Sequence, residues 1–308
     1  MKVLVTGGAG FIGSHLVEGL LSRGYEVVVL DDFSSGKISN LPVNIGEDKL
    51  RIIRGDVRNR LDVRRAMGGV FGVIHTAAIV SVPFSVENPE VSWDVNVEGT
   101  RNVLEEAAVE GVEKFVFISS CAVYGESPNL PIPESKPPSP LSPYAKTKLE
   151  GERLCINFSK GGLPVVILRY FNVYGPRQPP GEYAGVMVKF AEKIKAGEPP
   201  VIYGDGKQTR DFIFVSDVVR ATLMAFDKMP KGEIINIGSG KAITINELCR
   251  IFLKLSGKEN LKPIHAPPRP MDIRHSWADI SKASELLGFK PEIEIEDGVR
   301  RFLREVCL

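Results

Sequence analysis

Lys2-Val3-Leu4-Val5-Thr6-Gly7-Gly8-Ala9-Gly10-Phe11-Ile12-Gly13 decides the fold of this 308-residue chain. A β-branched run leads into a glycine-rich turn, and the turn opens onto Ile12, Leu16 and Leu20 at helical spacing. Strand, tight turn and helix in that order begin a dinucleotide-binding βαβ unit. Gly7 allows the turn, Gly10 lets backbone N–H groups reach a pyrophosphate, and Gly13 lets the helix lie close on the strand; Phe11 and Ile12 belong to the same anion-facing turn. The next run, Glu26 to Leu30, ends in Asp31 and Asp32, and Asp31 stands eighteen residues beyond Gly13. That is close to the spacing of the acid that accepts ribose hydroxyls, and a carboxylate there repels a 2′-phosphate. The expected cofactor is NAD rather than NADP.

Working outward, Lys2 to Val5, Glu26 to Leu30, Leu50 to Ile53, Val73 to Ile74, Lys114 to Ile118 and Val165 to Leu168 read as strands separated by amphipathic helical stretches. Strands apolar on both faces with helical crossovers imply a parallel sheet covered on both sides. The fold class is therefore α/β, a Rossmann-type doubly wound parallel sheet. Asp56 and Val57, after the third strand, are expected near the adenine. Ala77 and Ala78, after the fourth, are small enough for a backbone to lie against the cofactor. Beyond Arg169 the texture changes, with proline and glycine clusters at Gly175-Pro176, Pro179-Pro180-Gly181, Pro199-Pro200 and Pro267 to Pro270. Residues 1–170 are read as the NAD-binding domain and 171–308 as mainly a smaller mixed α/β substrate domain, with room for segments that return to the first.

Composition narrows the partners. A formal net charge of +1 with 25% charged residues gives no broad footprint for nucleic acid or an anionic membrane. No apolar run is long enough to span a bilayer, and Val5 leads within two residues into glycines, so neither a span nor a signal peptide is expected. Cys121, Cys155, Cys249 and Cys307 are too sparse for a disulfide framework or a metal pair. Together these predict a cytoplasmic protein with no metal.

Ser142-Pro143-Tyr144-Ala145-Lys146-Thr147-Lys148 reads as an N-cap, a first-turn proline and a helix, which puts Tyr144 and Lys148 on one face at i and i+4. A phenol is a poor base at neutral pH, but a nearby ammonium and a cationic nicotinamide both favour its phenolate. Tyr144 is the expected acid/base, and Lys148 is also free to bond a ribose. The fifth strand delivers Ser119 and Ser120 to the carboxyl end of the sheet, where ligands of open α/β folds bind, and Ser120 is placed to hydrogen-bond the reacting oxygen.

Gly7, Gly10, Gly13, Asp31, Ser120, the Tyr144 and Lys148 pair, and Arg169-Tyr170-Phe171-Asn172 together resemble the extended short-chain dehydrogenase/reductase family, and within it UDP-glucose 4-epimerases. The resemblance covers essentially the whole chain. It implies that Asn172 contacts the sugar nucleotide and Phe171 lies near the nicotinamide. It also implies that Asn96 lies near substrate or cofactor, and that Arg210, Arg269 and Asp272 clamp the diphosphate and ribose of a UDP-sugar. Dehydratases and decarboxylases of the family carry a glutamate where this chain has Ala122, so net elimination is not expected. Ser276 stands where epimerases restricted to plain sugars tend to carry tyrosine, which implies room for an N-acetyl group. Val80 stands where some relatives place a lysine close to the cofactor. The resemblance further implies a homodimer through the helices carrying Asn96 to Ala108 and Tyr144. Other readings stay open: a UDP-glucuronate 4-epimerase, a net dehydrogenase/reductase on a nucleotide sugar, or, from a different class, a non-catalytic NAD-binding module.

Overall fold

The computed structural model describes residues 1–42, 44–46, 48–181, 184–269 and 272–306; Cys307 and the Pro270-Met271 step of the expected clamp lie outside the described residues. Six strands come from the first part of the chain: β1 (Lys2–Thr6), β2 (Glu26–Asp31), β3 (Leu50–Arg54), β4 (Gly72–His75), β5 (Lys114–Ser120) and β6 (Val165–Tyr170). Later strands are β7 (Asn172–Tyr174), β8 (Val201–Tyr203), β9 (Thr209–Arg210), β10 (Phe212–Phe214), β11 (Ile234–Ile237), β12 (Ile243–Thr244), β13 (Ile264–Ala266) and β14 (His275–Ser276). The helices are α1 (Phe11–Ser22), α2 (Arg60–Met67), α3 (Val82–Glu87), α4 (Pro89–Trp93), α5 (Gly99–Val109), α6 (Pro143–Lys160), α7 (Val186–Lys195), α8 (Val215–Lys228), α9 (Ile245–Leu255) and α10 (Ile295–Glu305).

The main sheet runs β11-β6-β5-β4-β1-β2-β3, parallel throughout. Each of the six expected strands is present. The seventh, β11, returns to the sheet after a long excursion and pairs with β6, as Ile234↔Ile167 through Ile237↔Tyr170. Strand order reverses between β1 and β4, so their carboxyl ends flank the crevice in which open α/β folds bind ligands. One face of the sheet is covered by α1 and α8, with Leu16, Leu20, Val218 and Phe226 in the core; the other is covered by α2, α5 and α6, with Val63, Val103, Leu104 and Leu154. A third core, around Phe190, Phe214, Phe252 and Phe302, belongs to α7, α9, α10 and the short strands of the second part. No helix of the described residues is long and apolar enough to cross a membrane.

His75 ends β4 inside this frame and is 1% exposed. Its Nδ1 lies 2.6 Å from the Thr6 hydroxyl and its Nε2 2.9 Å from that of Thr100. Thr100 donates to the Asn96 carbonyl, so its oxygen accepts from Nε2–H, and Nδ1 accepts from Thr6. Burial, with the Lys148 charge added, pushes this imidazole down to about 3. Its folded pKa thus lies below the unfolded one, so its contribution to stability is complete above about pH 6.5 and is lost as pH falls toward the folded value. Thermal melts of the protein should steepen in their acid decline below about pH 6.5 by as much as ~1.4 kcal/mol per pH unit, and His75→Gln should remove that part of the slope. Parallel acid slopes in the two proteins would refute the assignment.

Candidate active site

The three glycines of the turn do different work. Gly7 has φ +67°, and a Cβ there would stand 2.8 Å from Cα and N of Ala77, so the ends of β1 and β4 touch at this point. At Gly13 a Cβ would stand 2.1 Å from the Gly7 carbonyl oxygen, whereas at Gly10 it would meet only that oxygen, at 3.2 Å. Gly10 is the N-cap of α1 and brings no side chain to its first-turn amides. Those N–H groups, carrying the positive end of the helix dipole, are left for an anion. α6, by contrast, is capped by its own sequence: Ser142 accepts from the Ala145 N–H at 3.2 Å.

Asp31 ends β2 with its carboxylate 7% exposed. It accepts from the N–H groups of Ala9 at 2.9 Å and Phe33 at 2.8 Å, and burial raises its pKa above the usual carboxylate value. Asp32 holds the next turn through the Ser34 N–H and hydroxyl. Asp56 is gripped by the Arg58 guanidinium, which holds its carboxyl below the usual value, and Val57 is buried against Gly99. Ala77 and Ala78 follow β4 beside Gly7, and the Ala77 N–H donates to the Thr6 hydroxyl at 3.3 Å. A dinucleotide with free ribose hydroxyls matches this set: uncapped amides for the pyrophosphate, a buried acid for the ribose, and small residues beside the turn.

Tyr144 and Lys148 lie on the buried face of α6, as the N-cap and proline predicted, 8% and 5% exposed. Helix and sheet meet closely because position 151 is glycine; a Cβ there would be 2.5 Å from Cζ of Phe117. Burial pushes the Tyr144 phenol up to about 12, against which a hydrogen bond with the Ser120 side chain acts; Ser120 also accepts from the Ala122 N–H at 3.2 Å. The Lys148 ammonium donates to the Ile118 carbonyl at 2.8 Å and lies 5.2 Å from the Phe117 ring. Burial lowers Lys148 itself to about 8. The protein alone holds Tyr144 as a neutral phenol.

Asn96 departs from its expected role. It sits in a π-helical stretch between α4 and α5, is 1% exposed, and donates to the Ile79 carbonyl at 2.9 Å and the Thr147 hydroxyl at 2.9 Å while accepting from the Ile79 N–H at 2.8 Å. Both amide hydrogens are engaged, so no donor is left for a substrate. Its role is to tie the loop after β4 to α6.

On the opposite side, Phe171 is buried with Tyr124, their ring centroids 6.4 Å apart. Asn172 anchors one amide hydrogen on the Asp211 carbonyl at 3.0 Å and is half-buried. Arg210 and Asp272 pair with each other at 2.5 Å, and Arg269 stacks on Tyr203, 4.0 Å from its ring centroid. Ser276, on β14 beside β9, is 4% exposed and lies, like Ser120, beside the Cys121 thiol. Val80 is 65% exposed. The structure therefore groups Ser120, Tyr144, Ser276 and Arg210 around Cys121. A cavity of about 510 Å³ between α9 and the segment before α10 contains none of them.

Sequence reasoning missed Asp211, which stands between Arg210 and Phe212. It is fully buried and accepts from Ser239 N–H and hydroxyl, Gly240 N–H and Ala278 N–H, tying the turn after β11 to the strand that carries Arg210. The available signal was an aspartate directly before the apolar run Phe212-Ile213-Phe214-Val215, since such a charge is found buried only where donors converge on it.

Residues 3–238 match the model of the NAD dependent epimerase/dehydratase family. The chain is 38% identical over 310 residues to the UDP-glucose 4-epimerase of Mycolicibacterium smegmatis, covering 98% of this chain and 97% of that one. Among solved structures, the Thermotoga maritima UDP-glucose 4-epimerase with UDP-glucose superposes with a TM-score of 0.94 at 39% identity, covering 100% of this chain and 99% of that one. The UDP-N-acetylglucosamine 4-epimerase of Methanobrevibacter ruminantium in complex with UDP-N-acetylmuramic acid gives 0.94 at 38%, with 99% and 98% covered. With the glycine turn, the acid that ends β2 and the tyrosine-lysine helix all in place, this chain belongs to the NAD dependent epimerase/dehydratase family.

Proposed function

We propose that this enzyme interconverts the C4 epimers of UDP-sugars, UDP-glucose with UDP-galactose, and also UDP-N-acetylglucosamine with UDP-N-acetylgalactosamine. What supports this reading is the placing of Ser120, at the end of β5, beside the buried Tyr144 phenol of α6, together with alanine at position 122, where the dehydratases and decarboxylases that the chain resembles carry a glutamate. Bound NAD supplies a reversible acceptor for the hydrogen at C4 and a ring cation that favours the Tyr144 phenolate. Tyr144 takes the proton of the sugar 4-hydroxyl and later returns it to the 4-keto oxygen; Ser120 bonds that oxygen throughout. Lys148, anchored on Ile118, keeps a positive charge on the same helix face. Arg210 and Arg269 grip the diphosphate while Asp272 and Asn172 accept and donate to the nucleotide and sugar, so the sugar can present either face without release.

NMR of the purified protein with UDP-glucose and, separately, UDP-N-acetylglucosamine, without added cofactor, should show both galacto epimers forming and no reduced nicotinamide accumulating. Net reduction, or turnover of UDP-glucuronate alone, overturns the reading. Ser276→Tyr should lower turnover of the N-acetylated sugar at least about tenfold relative to the plain one; equal losses on both would remove Ser276 as the size filter.

A homodimer through α5 and α6 completes the reading. Supporting it are a surface hollow lined by Ala108, Asn157, Phe158, Gly161 and Leu163, and Val109, 70% exposed at the end of α5. Sedimentation at the mass of a single chain would refute it.

A further inference from the structure

Beneath the tyrosine, where α6 lies on β5 and β6, a buried ion pair has no part in the chemistry described so far. Glu152 stands two turns after Tyr144 and one after Lys148 on α6 and is 1% exposed; Arg169, near the end of β6, is 2% exposed. The guanidinium grips the carboxylate with Nε at 2.8 Å and Nη2 at 2.6 Å, and the Ser119 hydroxyl donates to the same carboxylate at 2.5 Å. Among the described residues Arg169 Nη1 has no hydrogen-bond partner, and its guanidinium lies 4.6 Å from the centroid of the Tyr124 ring.

A pair of this kind is weak evidence for stability: hydrophobic replacements of buried ion pairs are often neutral or stabilising, and here one donor stays unbonded. What it joins is more informative. Ser119 precedes Ser120 on β5, Glu152 shares its helix face with Tyr144 and Lys148, and Arg169 opens the run that ends in Asn172. One carboxylate thus connects the three segments that bring side chains to the reaction. Lys148 is faced by Glu152 and Cys155 from α6, by His75 from β4, and by the Ile118 carbonyl and Phe117 ring from β5. His75 is neutral and burial keeps the Cys155 thiol protonated, so Glu152 is the anion in this set.

We propose that Glu152 is a positioning residue for the reaction at Tyr144: it fixes β5 through Ser119 and the exit of β6 through Arg169, one helical turn from Lys148. The proposal rests on the assignment of Ser120, Tyr144 and Lys148 above. Three variants test it, each loaded with NAD and assayed for epimerisation. Glu152→Gln keeps the shape and removes the charge; kcat should fall about tenfold with KM within about twofold. The alkaline limb of its kcat profile should move to lower pH, because Lys148 without its anion loses its proton sooner. Ser119→Ala leaves the ion pair intact and should lower kcat about threefold with that limb unmoved.

Combining Glu152→Gln with Arg169→Met removes both charges and avoids an unpaired arginine. A merely structural pair would then regain the parental kcat and pH profile, whereas the proposal requires the loss and the shift to persist. Parental kcat in Ser119→Ala, or a restored limb in the double variant, overturns the proposal; if either charge variant fails to fold, Ser119→Ala decides alone. A parent without epimerase activity would instead sink the underlying assignment, a result these variants cannot mimic.

Discussion

Replacing Tyr144 with phenylalanine is expected to cut epimerisation by about 10²- to 10⁴-fold, the usual worth of a positioned acid/base, and to leave NAD bound. The side chain is 8% exposed on the inner face of α6, so phenylalanine fills nearly the same space, and the Tyr144 N–H keeps its bond to Ser85. What disappears is the phenol oxygen beside Ser120 that can both take and return a proton. Because burial holds the phenol near 12 in the protein alone, activity at neutral pH depends on the charge that the bound cofactor brings, and the rate should rise with pH as the phenolate forms. It should fall again as Lys148, lowered to about 8, gives up its proton. The check is kcat against pH for both proteins, with bound nicotinamide measured by absorbance after denaturation. Substantial turnover in Tyr144→Phe would mean that another group moves the proton. Loss of NAD together with activity would mean that the phenol serves cofactor binding, not chemistry.

The sheet was legible in the sequence for a definite reason: β1, β2, β4 and β5 are dense apolar runs, and β1, β3 and β4 are each followed by a helix within a short span. β11 broke that rule. Its four residues follow α8 and complete the sheet more than sixty residues after β6, with α7, α8 and four short strands in between, and nothing local marks Ile234 to Ile237 as a partner of β6. At the site, residues named for backbone geometry landed where the motif put them, because a glycine turn and a capped helix are local constructions. Residues named for what they touch fared unevenly. Asn96 turned out to hold the Ile79 backbone and Thr147, and Lys148 the Ile118 carbonyl. Such partners are fixed by tertiary packing, which periodicity does not encode. Asp211 and Glu152 went unassigned for the same reason: their meaning lies in donors brought from Ser239, Ala278, Ser119 and Arg169.

The glycine turn supports a prediction whose sign runs against helix propensity. Gly13 lies inside α1, and alanine is favoured over glycine in a helix interior by about 1 kcal/mol. Even so, Gly13→Ala should destabilise the protein, by about 3 kcal/mol or more, and should empty it of cofactor. The new Cβ would stand 2.1 Å from the Gly7 carbonyl oxygen and 2.9 Å from Gly7 C and Gly8 Cα, all of them backbone, with no flexible side chain to give way. Relief requires α1 to lift from β1, which loosens the packing of Leu16 and Leu20 and carries the uncapped first-turn amides away from the pyrophosphate. Gly10→Ala is the control that separates packing from binding. Gly10 has φ −75° and ψ −177°, which alanine adopts freely, and its Cβ would meet only the Gly7 oxygen, at 3.2 Å. That variant should melt close to the parent yet bind NAD at least about tenfold more weakly, because the added methyl lies where the pyrophosphate approaches the backbone. Calorimetric melts with cofactor titration of the two variants decide the matter. Full NAD occupancy in Gly10→Ala would take the anion away from this turn, and a parental melting temperature in Gly13→Ala would show that α1 can move without cost.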